Sequence, residues 1–524
     1  MSAQRAQVWS AISSTPWDVV VIGGGITGAG IAREAVRRGL RTLLLEQTDY
    51  SWGTSSRSSK MVHGGLRYIA QGEIRLTWHS LTERERLLSE APGLVDRMRY
   101  HFAHFKGVFP GRWPFKVLLM AYDLLARIRD HRYLSKRDFL HRIPGYRQDG
   151  LQGASQYTDA VTDDSRLVQR ILDEAVADGL VMLNYVKVTD LIMAGDRVAG
   201  LRVQDQVSGD VAQVAAKVSM NATGAWADRL RQHLVNEHRV RPLRGSHLLF
   251  MPSRLSVTEA IICHHPVDGR VMFIYPWEGR TVVGTTDLDH RQDLDIEAVL
   301  DESEMRYMLE GVNAQFPEAR LKVSDIVSTW SGVRPVVSAG SGNDPSKESR
   351  GHSVWDNQGL ITVTGGKLTT FRLIALDALK LAQPYLGCVI KDDGQPVFSV
   401  ISWPLKPEAM SDRLFRRLGA RLGLHLPKFL AEMPVTEWQT IADTETALAE
   451  IRWACRYEQV VHLDDLLLRR VRLGLLLPHG GVDAITGLDS ILNEELGWSA
   501  EQIAQERVRY SDIWRRYYYL PITE

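Results

Sequence analysis

A glycine-rich turn set between an apolar strand and a helix constrains the fold more than any other feature of the chain. Residues 18–22 form a short β-branched run that ends abruptly in a G-x-G-x-x-G pattern, and small and charged residues then follow at helical spacing. Residues 41–45 resemble a second buried strand, which ends at Glu46. This order predicts a βαβ unit, and therefore a parallel sheet of the dinucleotide-binding type.

The glycines and the acidic residue of that unit each have a chemical task in a nucleotide site. Gly23 allows the tight turn, Gly25 allows close approach of pyrophosphate, and Gly28 allows the helix to contact the strand. The helix start presents unpaired N–H groups to the phosphates, and Glu46 is placed to bind ribose hydroxyls. NAD and FAD both use this pattern, so the fingerprint alone leaves the choice of cofactor open.

A run of hydroxyls and glycines follows the ribose-binding acid. Hydroxyl and N–H groups in this run could follow a pyrophosphate and ribityl chain, and the glycine pair could let the backbone lie against a flat ring. Taken alone, the run is equally consistent with a serine-rich surface loop. The cofactor contacts predicted here are Thr54, Ser55, Ser56, His63, Gly64, Gly65 and Leu66.

Composition limits the remaining function classes. The chain has 524 residues, which predicts two or three domains, and its 63 basic and 63 acidic residues argue against a generally basic nucleic-acid-binding protein. The three cysteines are isolated in sequence and indicate neither a disulfide framework nor a zinc site. No secretion signal and no apolar run of about 20 residues is evident, so we expect a cytoplasmic protein whose membrane contact is peripheral.

Several further motifs, in order along the chain, make a specific resemblance. The motifs are Gly23-Gly-Gly-Ile-Thr-Gly-Ala-Gly30, Thr54-Ser-Ser56, His63-Gly-Gly-Leu-Arg-Tyr68, Asp163-Asp-Ser-Arg-Leu167, Asn221-Ala-Thr-Gly-Ala-Trp226, Arg244-Gly-Ser-His247, Gly284-Thr-Thr-Asp287, Ser331-Gly-Val-Arg-Pro335 and Gly365-Gly-Lys-Leu-Thr-Thr370. On these motifs the chain resembles the FAD-dependent glycerol-3-phosphate dehydrogenases of the D-amino-acid-oxidase-like flavoprotein superfamily, over about residues 17–380 and more weakly over 450–477.

The resemblance implies an enzyme. FAD would be the cofactor, sn-glycerol 3-phosphate would lose a hydride from C2 to flavin N5 to give dihydroxyacetone phosphate, and a membrane quinone would take the electrons. An oxidase that uses oxygen, an amino-acid oxidase and a non-catalytic flavin-binding adaptor at a membrane surface are the alternatives. The amino-acid oxidase would need a different set of charged groups around its substrate.

The resemblance also implies an α/β fold with a discontinuous Rossmann-type FAD domain. We assign this domain to residues 1–98, 151–227 and 331–395, and a β-rich α+β substrate domain to residues 228–330. The leucine-rich, charged sequence over residues 396–524 predicts a helical C-terminal domain. Additional FAD contacts are expected at Val188, Thr223, Gly224, Gly366, Leu368 and Thr369.

Three cations and one histidine are the candidates for substrate chemistry. Arginines grip phosphate in a bidentate manner and lysine offers a compact charge, so Arg67, Arg334 and Lys367 are predicted to bind and polarise the substrate, together with Tyr68. His247 is predicted to accept the alcohol proton. Any one of these cations, taken alone, is better explained as a surface or structural charge, and only the resemblance favours a substrate contact; His63 is equally explained as a core histidine. No metal site is predicted.

Residues 99–150 predict a basic amphipathic segment that contacts a membrane. Between residues 99 and 147 eleven basic residues face three acidic ones, and an apolar stretch over residues 113–125 lies among them. Such a stretch is too short to span a bilayer but suits the headgroup layer of the inner face of the cytoplasmic membrane. A buried helix with a solvated basic rim is the alternative. A homodimer is compatible with the sequence, which leaves the oligomeric state open.

Overall fold

The computed structural model describes residues 3–70, 72–337, 351–401 and 403–521. The strands are β1 Trp17–Ile22, β2 Thr42–Leu45, β3 Met61–Val62, β4 Val95–Phe105, β5 Arg132–Ser135, β6 Leu151–Thr162, β7 Val181–Leu183, β8 Val186–Ala194, β9 Arg197–Asp205, β10 Val211–Asn221, β11 Val240–Phe250, β12 Ala260–His264, β13 Val271–Trp277, β14 Arg280–Gly284, β15 Leu288–Asp289, β16 Ile326–Val337, β17 His352–Asn357 and β18 Leu360–Gly365.

The helices pack around these strands. They are α1 Ala3–Ile12, α2 Ile26–Val36, α3 Leu66–Ala70, α4 Ile74–Glu90, α5 Arg112–Ala126, α6 Lys136–Arg142, α7 Asp164–Ala177, α8 Ala227–Arg231, α9 Glu302–Gln315, α10 Phe371–Leu381, α11 Gln383–Leu386, α12 Asp412–Leu422, α13 Leu426–Glu432, α14 Leu448–Tyr457, α15 Leu473–Leu476, α16 Leu488–Leu496 and α17 Ala500–Tyr517.

The first sheet has the order β17-β18-β10-β1-β2-β7, and its strands from β18 to β7 are parallel. Strand β1 is buried along its whole length because both faces of the sheet are covered. Val19 and Val21 pack against α2, α7 and α10, whereas Val20 and Ile22 pack toward β8 and β9. The predicted βαβ unit is therefore β1, α2 and β2.

The second sheet has the order β15-β11-β14-β13-β12-β4-β6-β3, with β16 paired to β11 and β5 paired to β6. Successive side chains along each of its strands point to opposite faces of the sheet. On one face Leu248 and Ile274 pack with α9, and on the other Leu249 and Tyr275 share a core with α5 and the C-terminal helices.

Sheet membership differs from the predicted domain division in several ranges, and β3 and the end of β16 also lie in the second sheet instead of the FAD domain. Strand β4 pairs with β6 along its whole length and with β12 on its other side, so residues 99–105 lie inside the second sheet. Strand β6, which the prediction placed with the FAD domain, lies in the same sheet. Long antiparallel pairing explains this arrangement, because β4 and β6 bury Tyr100 and Tyr157 on a shared face.

The C-terminal helices are joined to the first sheet by buried ion pairs. Asp49 follows β2 and accepts hydrogen bonds from Arg469 Nε at 2.6 Å and from Arg470 Nη2 at 2.7 Å. A second cluster pairs Asp163, the N-cap of α7, with Arg421 at 3.2 Å. All five side chains are buried, so the predicted helical C-terminal region is part of the structural core.

Candidate active site

A cavity of about 1080 Å³ lies between the two sheets. Its wall includes the residues that follow the carboxyl ends of β1, β2, β10 and β18, which is where ligands bind in open α/β sheets. The opposite wall comes from the second sheet, so one continuous space is bounded by residues from 22 to 369. The volume exceeds that of an ordinary small-molecule pocket and suits a large cofactor together with a small substrate.

The glycine turn forms one end of this cavity. Gly23 has φ +112°, and a Cβ there would lie 2.6 Å from the carbonyl oxygen of Ala222. A Cβ at Gly28 would lie 1.9 Å from the carbonyl oxygen of Gly23, although Gly28 itself does not line the cavity. Gly25 lines the cavity and is the N-cap of α2. The turn can therefore adopt this shape only with glycine at positions 23 and 28.

Glu46 is held at the cavity wall by backbone N–H groups. Its carboxylate accepts from Gly24 N at 2.7 Å and from Thr48 N at 2.9 Å. Burial raises the pKa of the Glu46 carboxyl, while these two N–H groups oppose the rise. Val188, Thr223 and Gly224 line the same end of the cavity, as predicted for contacts with the adenosine half of a dinucleotide.

The hydroxyl run contributes in two different ways. Thr54 and Ser55 line the cavity, whereas Ser56 is buried behind the wall. Ser55 Oγ accepts from Ile26 N at 2.9 Å and so binds one N–H of the first turn of α2. Thr54 Oγ1 donates to the carbonyl of Val333. Part of the run therefore fixes the fingerprint helix and β16 in place.

The glycine pair accommodates protein side chains at close range. A Cβ at Gly64 would lie 2.4 Å from Leu81 and 2.5 Å from the Tyr122 hydroxyl, and a Cβ at Gly65 would lie 2.0 Å from the Tyr68 ring. Gly65 lines the cavity and Gly64 does not. His63 and Leu66, on either side of the pair, also line it.

Lys367 and Tyr68 meet at the cavity wall. The Lys367 ammonium lies 4.2 Å from the centroid of the Tyr68 ring and donates to the carbonyl of Gly64 at 3.5 Å. After Gly366 and Lys367 the chain forms a 3₁₀ turn over Leu368–Thr370 that continues into α10. Gly366, Lys367, Leu368 and Thr369 all line the cavity.

Arg334 enters the cavity from β16. Its guanidinium is 26% exposed and donates to Asp287 Oδ1 at 3.0 Å and to Thr285 Oγ1 at 3.2 Å. Both partners line the cavity, and sequence reasoning assigned neither a role. The motif Gly284-Thr-Thr-Asp287 was the sequence feature from which a role for Thr285 and Asp287 could have been predicted.

His247 lies behind the cavity wall, with 1% of its surface exposed. Its ring stacks on Trp330 at 4.8 Å, and its Nε2 lies 2.9 Å from the hydroxyl of Ser59, which lines the cavity. Burial, together with Arg334 and Lys60, holds the pKa of His247 well below its ordinary value, so the imidazole is neutral at pH 7. Ser59 is a site residue that sequence reasoning missed.

One predicted site residue falls outside this description. The backbone of Arg67 belongs to α3, beside Leu66 and Tyr68, but its side chain lies outside the described part of the structure. Its predicted contact with substrate stays a prediction. Within the described ranges no three His, Cys, Asp or Glu side chains converge as they would around a metal ion.

Comparison with known proteins identifies the family. The sequence profile of the family described as FAD dependent oxidoreductase matches residues 18–372, and that of the C-terminal domain of alpha-glycerophosphate oxidase matches residues 399–503. Glycerol-3-phosphate dehydrogenase 2 of Mycobacterium tuberculosis is 33% identical, over 97% of this chain and 90% of its own. The chain belongs to the FAD-dependent glycerol-3-phosphate dehydrogenases.

Two further members of this dehydrogenase family agree with that placement. The aerobic glycerol-3-phosphate dehydrogenase of Bacillus subtilis is 35% identical over 76% of this chain and 71% of its own. The structure of the Bacillus halodurans glycerol-3-phosphate dehydrogenase complexed with FAD matches with a TM-score of 0.74 and 26% identity, over 97% of this chain and 96% of that one. The predicted family and fold class are confirmed.

FAD is therefore the cofactor, and the residues at the cavity fit it. The turn at Gly23 leaves no room for a side chain, Gly25 opens the first turn of α2 toward the pyrophosphate, and Glu46 is fixed beside the ribose position. The wall near His63 and Lys367 would receive the ring system. The predicted cofactor, FAD, is confirmed.

Substitution of Gly28 with alanine is expected to abolish FAD retention. The added methyl group would collide with the carbonyl of Gly23, so the turn that receives pyrophosphate has to move. Absorbance of the purified protein near 450 nm and FAD released on unfolding measure the loss. Gly111→Ala is the control, because no atom lies within 4 Å of a Cβ built there. Full FAD content in Gly28→Ala would show that the turn tolerates displacement.

Proposed function

We propose that this enzyme oxidises sn-glycerol 3-phosphate to dihydroxyacetone phosphate. The observation that carries the proposal is that Arg334 and Lys367 line the cavity that also contains the FAD fingerprint. A phosphorylated polyol carries nearly two negative charges and needs fixed cations to hold it beside the flavin. The printed names of the relatives support the same substrate.

The bound flavin would supply the hydride acceptor at N5. Arg334 is held by Asp287 and Thr285, so its guanidinium is oriented before substrate arrives, and it would bind the phosphate. Lys367 is held over Tyr68 and would place a compact positive charge beside the oxygen at C2. Arg67 stays a third candidate cation.

The proton of the C2 hydroxyl also needs an acceptor. His247 is neutral and cannot reach the cavity directly, but its Nε2 lies within hydrogen-bond distance of Ser59 Oγ. We propose that Ser59 takes the substrate proton at Oγ while passing its own proton to His247 Nε2. A lowered pKa makes His247 a weak base, so proton transfer has to accompany hydride departure.

Quinone is the proposed electron acceptor, and oxygen is the alternative. Under anaerobic conditions glycerol 3-phosphate should bleach the bound flavin absorbance, and a soluble quinone should then restore it. Failure of glycerol 3-phosphate to bleach the flavin would contradict the proposed substrate. Restoration by oxygen with stoichiometric peroxide, and none by quinone, would instead indicate an oxidase.

Peripheral attachment to the cytoplasmic membrane is proposed to occur through α5. Trp113, Val117, Met120 and Leu124 recur at helical spacing on its outer side and are all exposed, Val117 by 67% and Leu124 by 79%. Neighbouring basic residues suit anionic headgroups. Among the described residues, no helix combines the length and apolar character needed to cross a bilayer.

Val117→Glu should weaken binding to anionic vesicles at least ~10-fold, because it removes an apolar contact and adds a repelled charge. Co-sedimentation with vesicles containing phosphatidylglycerol measures this, and rising salt should release the wild-type enzyme. The matched control is Val211→Glu, which changes a similarly exposed valine on β10. Equal binding of both variants would mean that another part of the protein contacts the membrane.

A further inference from the structure

A buried carboxylate behind the cavity wall takes no part in the chemistry described above. Glu304 lies in the first turn of α9, and 2% of its surface is exposed. It does not line the cavity, so it is not placed to touch FAD or substrate. A buried carboxylate is costly unless hydrogen bonds and a counter-charge compensate it, so its partners indicate what it holds in place.

Among the described residues, four donors converge on this carboxylate. Oε1 accepts from Thr286 Oγ1 at 2.6 Å and from Ser246 Oγ at 2.9 Å. Oε2 accepts from Arg244 Nη2 at 2.6 Å and from the backbone N–H of Asp301, the N-cap of α9, at 3.1 Å. Since each of these four neighbours donates, only a group with two acceptor oxygens satisfies all of them.

Through these bonds Glu304 ties α9 to β11 and to the turn that follows β14. Ser246 N donates to Thr286 Oγ1 at 3.0 Å, so the turn is held from two sides. Ser246 Oγ also lies 2.7 Å from Ser331 Oγ, and because Ser246 gives its own proton to Glu304, Ser331 is the donor of this bond. The bond extends the network to β16, the strand that carries Arg334.

Thr286 stands between the two residues that orient Arg334. Thr285 Oγ1 accepts from the guanidinium at 3.2 Å, and Asp287 Oδ1 accepts from it at 3.0 Å. Both side chains line the cavity, and the residue between them is bonded to the buried carboxylate. A shift of Thr286 would therefore move both partners of the guanidinium together.

The guanidinium of Arg334 also lies against the backbone of β11. A Cβ at Gly245 would come within 2.6 Å of Arg334 Nη2. On either side of this glycine, Arg244 and Ser246 are both bonded to Glu304. The two surfaces that orient the guanidinium, the 285–287 turn and the β11 backbone, are thus fixed from behind by one carboxylate.

We propose that Glu304 is a positioning residue for the substrate phosphate, acting through Thr286 and β11 to hold Arg334 in the orientation that binds it. The inference rests on the proposed function, in which Arg334 binds the phosphate of glycerol 3-phosphate. Support from behind the wall restricts the guanidinium before the substrate arrives. Less conformational freedom is then lost on binding, and C2 is placed more accurately beside the flavin.

Glu304→Gln should weaken binding of dihydroxyacetone phosphate to the oxidised enzyme ~5–50-fold, because the amide sets N–H groups against donors. Isothermal titration measures this dissociation constant without turnover. Glu450→Gln is the matched control, since Glu450 also closes a capping box, at α14, and lies 3.3 Å from the buried Arg421, outside the cavity wall. Both variants should lose thermal stability, but only Glu304→Gln should lose affinity. Equal weakening in both would leave Glu304 a purely structural role and overturn the inference.

A double-mutant cycle tests whether Glu304 acts through Arg334. In the Arg334→Ala background, Glu304→Gln should change kcat/KM for glycerol 3-phosphate less than ~2-fold, because the guanidinium that it positions is gone. The same loss with and without Arg334 would mean that the two residues act independently, which contradicts the proposal.

The turn supplies a second pair of variants in case Glu304→Gln fails to fold. Thr286→Val removes the hydroxyl that bonds to Glu304 and should weaken binding of dihydroxyacetone phosphate, whereas Thr286→Ser keeps the hydroxyl and should restore most of the affinity. Equal affinities in these two variants would refute the role of Glu304. If glycerol 3-phosphate does not reduce the wild-type flavin, the proposed substrate and this inference both fall; if it does and the cycle is additive, only the inference falls.

Discussion

Arg334→Ala is expected to lower kcat/KM for glycerol 3-phosphate at least ~10-fold while leaving the flavin spectrum unchanged. A charge-assisted hydrogen bond to phosphate contributes about 1.5–3 kcal/mol, and the corresponding factor follows from transition-state arithmetic. Arg334 reaches the cavity from β16 and not from the glycine turn. The FAD content of the variant should therefore not change. Loss of the phosphate contact can also misplace C2, in which case kcat falls together with affinity.

Steady-state kinetics on two comparison variants test whether the loss of activity is specific to the guanidinium of Arg334. Arg254→Ala removes another arginine paired with an aspartate, Asp325 at 2.8 Å, but outside the cavity wall, and should turn over like the parent. Arg334→Lys keeps the charge without the bidentate geometry and should fall between the parent and the alanine variant. Parental kinetics in Arg334→Ala would remove Arg334 from the substrate site.

Asp49→Asn is expected to destabilise the enzyme by about 3 kcal/mol, because Arg469 and Arg470 lose the buried carboxylate that they share and keep only weaker compensation from neighbouring acidic side chains. Asp49 lies three residues after Glu46, so the loop that fixes the ribose-binding acid should loosen as well. Thermal unfolding, followed by the fluorescence of released FAD, should show an earlier transition in the variant.

The matched control for this effect lies at the surface. Asp393 pairs with Arg37 at 3.0 Å and is half exposed, so Asp393→Asn should change stability by less than about 1 kcal/mol. Similar transition temperatures for the two variants would mean that the buried cluster around Asp49 adds little to the attachment of the C-terminal helices.

Local sequence was sufficient to predict the parts of the site that depend on local backbone geometry. The turn at Gly23, the acid Glu46 and the turn after Gly366 follow from short contiguous patterns, because glycine spacing and strand ends are local properties. Arg334 and Lys367, which were predicted from motifs that contain glycine, both line the cavity, and their contact with substrate stays a prediction.

Contacts between residues that are distant in sequence could not be predicted from the sequence. Asp287 lies 47 residues from Arg334 in sequence, and only the pairing of β11 with β14, β15 and β16 brings the two together. His247 was predicted as the base without any sign that Trp330 covers it, because that stack crosses between strands. The stretch over residues 113–125 is apolar on both sides of α5, so its sequence could not say which side faces a core.

The order in which the cavity wall is encoded has a consequence for biosynthesis. The nucleotide turn is made before β18, which reaches its place beside β10 only after residue 365, and Asp49 meets Arg469 and Arg470 only after residue 470 has been made. A nascent chain that is shorter than this therefore lacks one wall of its cofactor site and the anchor of its ribose loop. FAD incorporation should follow synthesis of residue 470, and chains truncated before it should accumulate as colourless, protease-sensitive species.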